Sequence, residues 1–152
     1  MGVVGGFVGG FVVAAGVGAW AGALVVHDLR HRRLPDALTL PAVPVVWTVT
    51  VVDGAGWAVL GGLGWCLLCI LPGLVSSRLR AGGGDAKLAL SLGTVAAVGG
   101  GVVGLLWTVA TASLVTLAFA LIPGVRGRAL PHGPGMLVGT AVVTGVINGG
   151  VW

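Results

Sequence analysis

From Val3 to Val26 the chain runs for 24 residues without one charged side chain. A helix needs about 20 predominantly apolar residues to cross a bilayer, so this run alone is long enough to span. It has no basic residue ahead of it and exceeds the roughly 7–15 residues of a signal-peptide core, so it reads as a first transmembrane helix and not as a cleavable leader. Five further apolar runs follow, at Leu38–Val52, Trp57–Val75, Ala86–Val98, Val102–Ile122 and Pro131–Val151. Only 8% of the 152 residues are charged, against roughly 25% in an ordinary soluble domain. A water-soluble globule is thereby excluded. The 30 glycines follow no Gly-X-Y period and form no polar tract, which excludes collagen-like and disordered chains as well.

Length divides the fourth run from the fifth. Ala86 to Ile122 is 37 residues, roughly 55 Å of straight helix at 1.5 Å per residue, against a hydrocarbon core of about 30 Å. Two short crossings joined at Gly99-Gly100-Gly101 fit better than one. Charge placement gives an independent check. With six spans, Arg30, Arg32, Arg33, Arg78, Arg80, Lys87, Arg126 and Arg128 all fall on one side, and the opposite loops carry only Asp53. The positive-inside rule makes the basic side cytoplasmic and puts both termini outside. The expected architecture is therefore all-α, a polytopic membrane protein with six transmembrane helices forming a single membrane-embedded domain over residues 1–152. Gly5/Gly9, Gly6/Gly10 and Gly18/Gly22 are small-xxx-small pairs suited to close helix packing on the first span. Trp57 and Trp152 sit at expected outer ends, as an aromatic belt would have them.

The net charge of +4 does not point to nucleic acid, because no basic run is interleaved with aromatic residues. The partner of these surfaces is the lipid bilayer. Cys66 and Cys69 lie one helical turn apart in an apolar run and read as small packing residues; two thiols do not make a four-ligand zinc site. No metal site is expected, and nothing in the sequence calls for a cofactor.

All four acidic residues are aspartate. Asp53, in Asp53-Gly54-Ala55-Gly56, is explained by turn chemistry. Asp36 follows Pro35 at the start of the second span and reads as a helix-cap or turn residue. Asp28 and Asp85 are different. Asp28 ends the first span and Asp85 opens the fourth, directly after Gly82-Gly83-Gly84, so both sit at the cytoplasmic membrane boundary. Ionisable groups near hydrocarbon are costly, and two carboxylates at equal depth can meet across a helix bundle. Such a pair resists double ionisation and shares a proton. One member then takes a proton from water while the other polarises a carbonyl and protonates a leaving amine. Spacing alone leaves open the alternative of two unrelated interfacial aspartates paired with nearby arginines.

The segment from Asp28 to Leu40, Asp-Leu-Arg-His-Arg-Arg-Leu-Pro-Asp-Ala-Leu-Thr-Leu, resembles the first-aspartate motif of the type IV prepilin peptidases and preflagellin peptidases. Gly82-Gly83-Gly84-Asp85-Ala86-Lys87-Leu88 resembles their GxGD motif, and Leu130-Pro131-His132-Gly133-Pro134-Gly135 is similar to the Pro-Phe-Gly-Pro element that opens their last span. Together with six spans, the resemblance implies an intramembrane aspartyl endopeptidase, with Asp28 and Asp85 as its catalytic pair. Gly82, Gly84, Gly133 and Pro134 would then shape the site, through backbone that can bend or unwind where it lines a cavity. His132 stands where the family commonly has phenylalanine and reads as a tolerated variation at a packing or substrate-side position. Lys87 reads as an interfacial anchor.

The resemblance also implies a partner. The substrate would be a prepilin-like precursor whose short basic leader, usually ending in glycine, stays in the cytoplasm ahead of a hydrophobic helix. The N-terminal region with paired CxxC motifs found in the bifunctional members is missing ahead of the first span, so methyltransferase activity is not expected. Two rival classes remain. In a small transporter or ion pathway Asp28 and Asp85 would be proton or cation ligands, although acidic groups near the midplane would then be expected. In a non-catalytic assembly factor neither carboxylate would be required.

Overall fold

The computed structural model describes residues 2–75, 82–122 and 131–148, with side chains from Val13 through Val146. Arg78, Arg80, Arg126, Arg128 and Trp152 lie outside the described residues, as does the packing of Gly5/Gly9 and Gly6/Gly10. Everything regular in the described residues is helical. In order come α1 (Gly2–His31), α2 (Asp36–Val52), a single 3-10 turn at Gly56–Ala58, α3 (Val59–Val75), α4 (Gly83–Leu121) and α5 (Gly133–Asn148).

The helices begin and end where local chemistry dictates. After α1, Arg32 takes a left-handed backbone (φ 52°) and its N–H donates to the Asp28 carbonyl at 2.7 Å. That turn sends the chain away from the α1 axis. Pro35 is extended and caps α2, with its carbonyl accepting from the N–H groups of Leu38 and Thr39. Asp53 closes α2, and Gly54 takes a positive φ of 78°, so the expected turn at Asp53-Gly54 is present. Asp36 is not the cap. It is the first residue of α2 and makes no capping hydrogen bond.

The 39 residues of α4 do not form one straight rod. Helical geometry breaks at Gly100 (φ −141°) and Gly101 (φ 59°). Asp85, from the first arm, and Val109 and Ser113, from the second, line the same cavity. In a straight helix Asp85 and Ser113 would be roughly 42 Å apart. The chain therefore folds back at Gly100-Gly101, where only glycine adopts the positive φ without strain.

Glycine also sets the packing. A methyl group on Gly62 would collide with the Leu90 carbonyl, and one on Gly93 would lie 2.8 Å from the Gly61 carbonyl oxygen. This seam binds α3 to the first arm of α4. Gly135 and Gly139 do the same for α5 against the second arm, with methyl positions 2.6 Å and 2.8 Å from the carbonyl oxygens of Ala112 and Thr108. Gly18 and Gly22 behave otherwise. Nothing lies within 4 Å of either methyl position, so the spacing expected to pack the first span has no partner helix among the described residues.

The outer surface is apolar. Val52, Leu60, Leu74, Val75, Val102, Leu114 and Leu121 are all exposed. Gly56–Val75 and Gly83–Leu121 are long and apolar enough to cross a membrane, and most of each apolar stretch faces outward. Asp36–Val52 and Gly133–Val146 are shorter apolar helices. A continuous apolar exterior of this kind is matched to lipid and not to water, which points to membrane association.

Candidate active site

One end of the bundle collects the end of α1, the α1–α2 turn and the starts of α4 and α5. A cavity of about 760 Å³ opens there, lined by Asp28, Arg32, Arg33 and Leu34 on one side and by Gly82, Gly83, Gly84 and Asp85 on another. Trp65, Leu68, Cys69 and Pro72 of α3, Val109 and Ser113 of the second arm of α4, and His132 complete the wall. Two carboxylates distant in sequence thus line one cavity.

Each is positioned by backbone. Asp28 is 4% exposed, and its Oδ2 accepts a hydrogen bond from the Gly133 N–H at 3.1 Å. That N–H belongs to the first turn of α5, where helix donors lack partners and the helix dipole favours negative charge. A methyl group on Gly133 would sit 2.8 Å from Asp28 Oδ2, so the carboxylate and the helix start approach this closely only because residue 133 is glycine. Asp85 lies in the first turn of α4, and its N–H donates to the Gly82 carbonyl at 3.0 Å. Its side chain folds over Gly82, whose methyl position is 3.3 Å from Asp85 Oδ2. Gly82 and Gly84 line the cavity as well; Pro134 is buried in the first turn of α5 behind Gly133 and is not part of the wall. A proline there gives up no helical hydrogen bond.

Several contributors went unread in the sequence. Leu34 is buried between the starts of α4 and α5: methyl groups on Gly84 and Gly133 would meet its side chain at 2.7 Å and 3.2 Å. The signal for it was an isolated leucine within Arg32-Arg33-Leu34-Pro35, an apolar side chain with no reason to stand in a solvated basic loop. Trp65 is 2% exposed and forms part of the cavity wall. Pro72, lacking an N–H, leaves the Leu68 carbonyl without its helical donor in the same wall. His132 Nδ1 lies 2.7 Å from the Thr116 hydroxyl.

Two readings change. Lys87 is not simply an anchor: its Nζ lies 2.7 Å from Asp36 Oδ1, the two side chains being 36% and 59% exposed. This ion pair ties the start of α2 to the start of α4 beside the cavity, and it is the role found for Asp36 in place of capping. On α1, His27 Nδ1 lies 2.9 Å from the Arg33 carbonyl. A carbonyl only accepts, so Nδ1 carries the proton there, and the contact steadies the same turn.

Among the described residues no group of three or more His, Cys, Asp or Glu side chains is placed to hold a metal ion. What the cavity does hold is a carboxylate pair with flanking cationic and neutral acceptor groups, a set able to move protons to and from water or a polar substrate.

Comparison with known proteins gives one match. No curated protein and no solved structure is matched. The model of the type IV leader peptidase family matches residues 15–121, well over half of the chain, and this stretch contains both Asp28 and Asp85. With this match, the chain belongs to the type IV leader peptidase family.

Proposed function

We propose that this chain is an intramembrane aspartyl endopeptidase that removes the short cytoplasmic leader of type IV prepilin-like precursors, with Asp28 and Asp85 as its catalytic pair. The observation that carries the reading is the meeting of these two carboxylates, from α1 and α4, in one cavity at one end of the bundle. Membership of a peptidase family supports the reaction class.

In this reading the pair shares one proton. The ionised aspartate accepts a proton from a water molecule as its oxygen attacks the scissile carbonyl carbon. The protonated aspartate donates a hydrogen bond to the carbonyl oxygen. The tetrahedral intermediate collapses with cleavage of the C–N bond, and a proton passes to the departing nitrogen. The products are a carboxylic acid and an amine, with one water consumed. A helical peptide bond is shielded by its own hydrogen bonds, so the leader junction enters the cavity extended. Gly82 and Gly84 line the space it enters, and Gly133 lets the start of α5 approach Asp28 beside it.

The same reading places the protein in the cytoplasmic membrane with six spans, the two arms of α4 counting separately, and with both termini outside. The cavity then opens at the cytoplasmic face, where Arg30, Arg32, Arg33 and Lys87 cluster and where a basic leader resides. The whole of residues 1–152 forms one membrane domain.

Co-expression with a prepilin precursor tests this by gel shift of the leaderless product. Wild type cleaves, while Asp28→Asn and Asp85→Asn do not, all three reaching the membrane in equal amount. Cleavage surviving either substitution refutes the catalytic pair. Proton or cation flux that depends on the same two residues, without cleavage, would establish the transporter reading instead.

A further inference from the structure

The hydrogen-bond network around His132 fixes where its proton sits. The Thr116 hydroxyl has a single proton and two neighbours, the Ala112 carbonyl oxygen at 2.9 Å and His132 Nδ1 at 2.7 Å. A carbonyl oxygen can only accept, so the hydroxyl proton is committed to Ala112. The contact with His132 is then satisfied only if Nδ1 carries the proton and donates to the Thr116 oxygen. The neutral ring is thereby left with a bare lone pair on Nε2.

Among the described residues Nε2 has no hydrogen-bond partner, and no fully buried side-chain nitrogen or oxygen there is left without one. His132 lines the cavity that holds Asp28 and Asp85. A neutral acceptor, held in orientation by Thr116, therefore stands in the wall beside the two carboxylates.

A peptide lying extended in this cavity has lost its helical hydrogen bonds. Each of its N–H groups, taken out of water, needs an acceptor or costs free energy. A carboxylate of the catalytic pair is a poor choice, because binding there would disturb the shared proton. We propose that His132 Nε2 accepts a hydrogen bond from a backbone N–H of the unwound substrate next to the scissile bond, making His132 a substrate-positioning residue. This rests on the peptidase reading above. A phenylalanine at 132 would fill the same space without offering an acceptor, so the residue type sets how firmly an extended backbone is held.

The test uses the full chain reconstituted in lipid and a synthetic peptide with a short basic leader ending in glycine, followed by an apolar segment. His132→Phe raises KM about tenfold, the equivalent of one hydrogen bond, with kcat within about twofold. His132→Gln, whose amide oxygen can reach the Nε2 position, restores KM to within about threefold of wild type. His132→Asn, which can contact Thr116 but not reach the Nε2 position, resembles the phenylalanine variant. Nitrogen chemical shifts of the labelled ring report a proton on Nδ1 in wild type and a mixture of tautomers in Thr116→Val. An unchanged KM in His132→Phe, a glutamine variant as impaired as the phenylalanine one, or a ring protonated on Nε2 overturns the inference and leaves the peptidase reading standing. A wild-type chain that does not cleave the peptide overturns both.

Discussion

Glycine serves opposite purposes in the helix seams and at the cavity. In the seams, Gly61, Gly62 and Gly93 let α3 and the first arm of α4 touch backbone to backbone, and Gly135 and Gly139 do so for α5 and the second arm. At the cavity, Gly82 and Gly133 make room for carboxylate oxygens, and Gly84 makes room for Leu34. The first set closes space and the second set keeps it. In a bilayer, where lipid tails solvate apolar side chains as well as protein does, helices gain little by burying leucine and associate through close backbone packing instead. Rigid seams can then hold a cavity open at one end without a large hydrophobic core beneath it. The comparison predicts that substitutions in the seams act on folding, whereas those at the cavity act on chemistry.

The largest separation should come from Gly62. Gly62→Leu drives a side chain into the Leu90 carbonyl and leaves no room for α3 to seat, so little folded protein should survive detergent extraction. Gly62→Ala is milder, with an overpacking cost of about 1–3 kcal/mol and a lower Tm. Gly22→Ala meets nothing within 4 Å and should leave Tm unchanged. A Gly62→Ala protein as stable as Gly22→Ala would break the assignment of that seam.

Gly133→Ala comes next. Its methyl group would press on Asp28 Oδ2 and on Leu34, displacing the carboxylate proposed to react without unseating a helix. Leader cleavage should fall by about 10- to 100-fold, the scale of a small misplacement at a reacting group, with Tm nearly intact. A large loss of Tm with normal cleavage per folded molecule would reverse the distinction between seam and cavity.

How much of this was legible beforehand follows from what each signal depends on. The apolar runs and the reversal near Gly100-Gly101 were readable because they depend on length and charge along the chain. The chain order of Asp28, Asp85 and Gly133 was readable through motifs, and all three gather at one end. Partnership across helices was not readable. Gly18 and Gly22 have the spacing of packing residues, yet spacing does not supply a neighbour, and among the described residues none stands against them. Asp36 looked like a cap because it precedes a helix; Lys87, far along the chain, is its actual partner. The contact of Thr116 with His132 joins the second arm of α4 to the start of α5. Only the docking of α5 against that arm brings them together.

The smallest expected effect is at that ion pair. Both side chains are substantially exposed, and exposed pairs contribute about 0–1 kcal/mol. Lys87→Gln and Asp36→Asn should each shift Tm by little, and a double-mutant cycle should return a coupling at the low end of that range. A coupling several times larger would mean that this clasp, and not the glycine seams, holds α2 against α4.

Whether Asp28 and Asp85 act as one unit is tested most directly by the rates of Asp28→Asn, Asp85→Asn and the double variant, measured on one precursor in one membrane preparation. Residues that share a proton in a single step are strongly non-additive. The account predicts that each single variant loses about 10²–10⁴-fold, the usual range for a general acid or base, and that the double variant is no worse than the poorer single one. A double variant whose loss equals the product of the two single losses would contradict it, because the two carboxylates would then act independently.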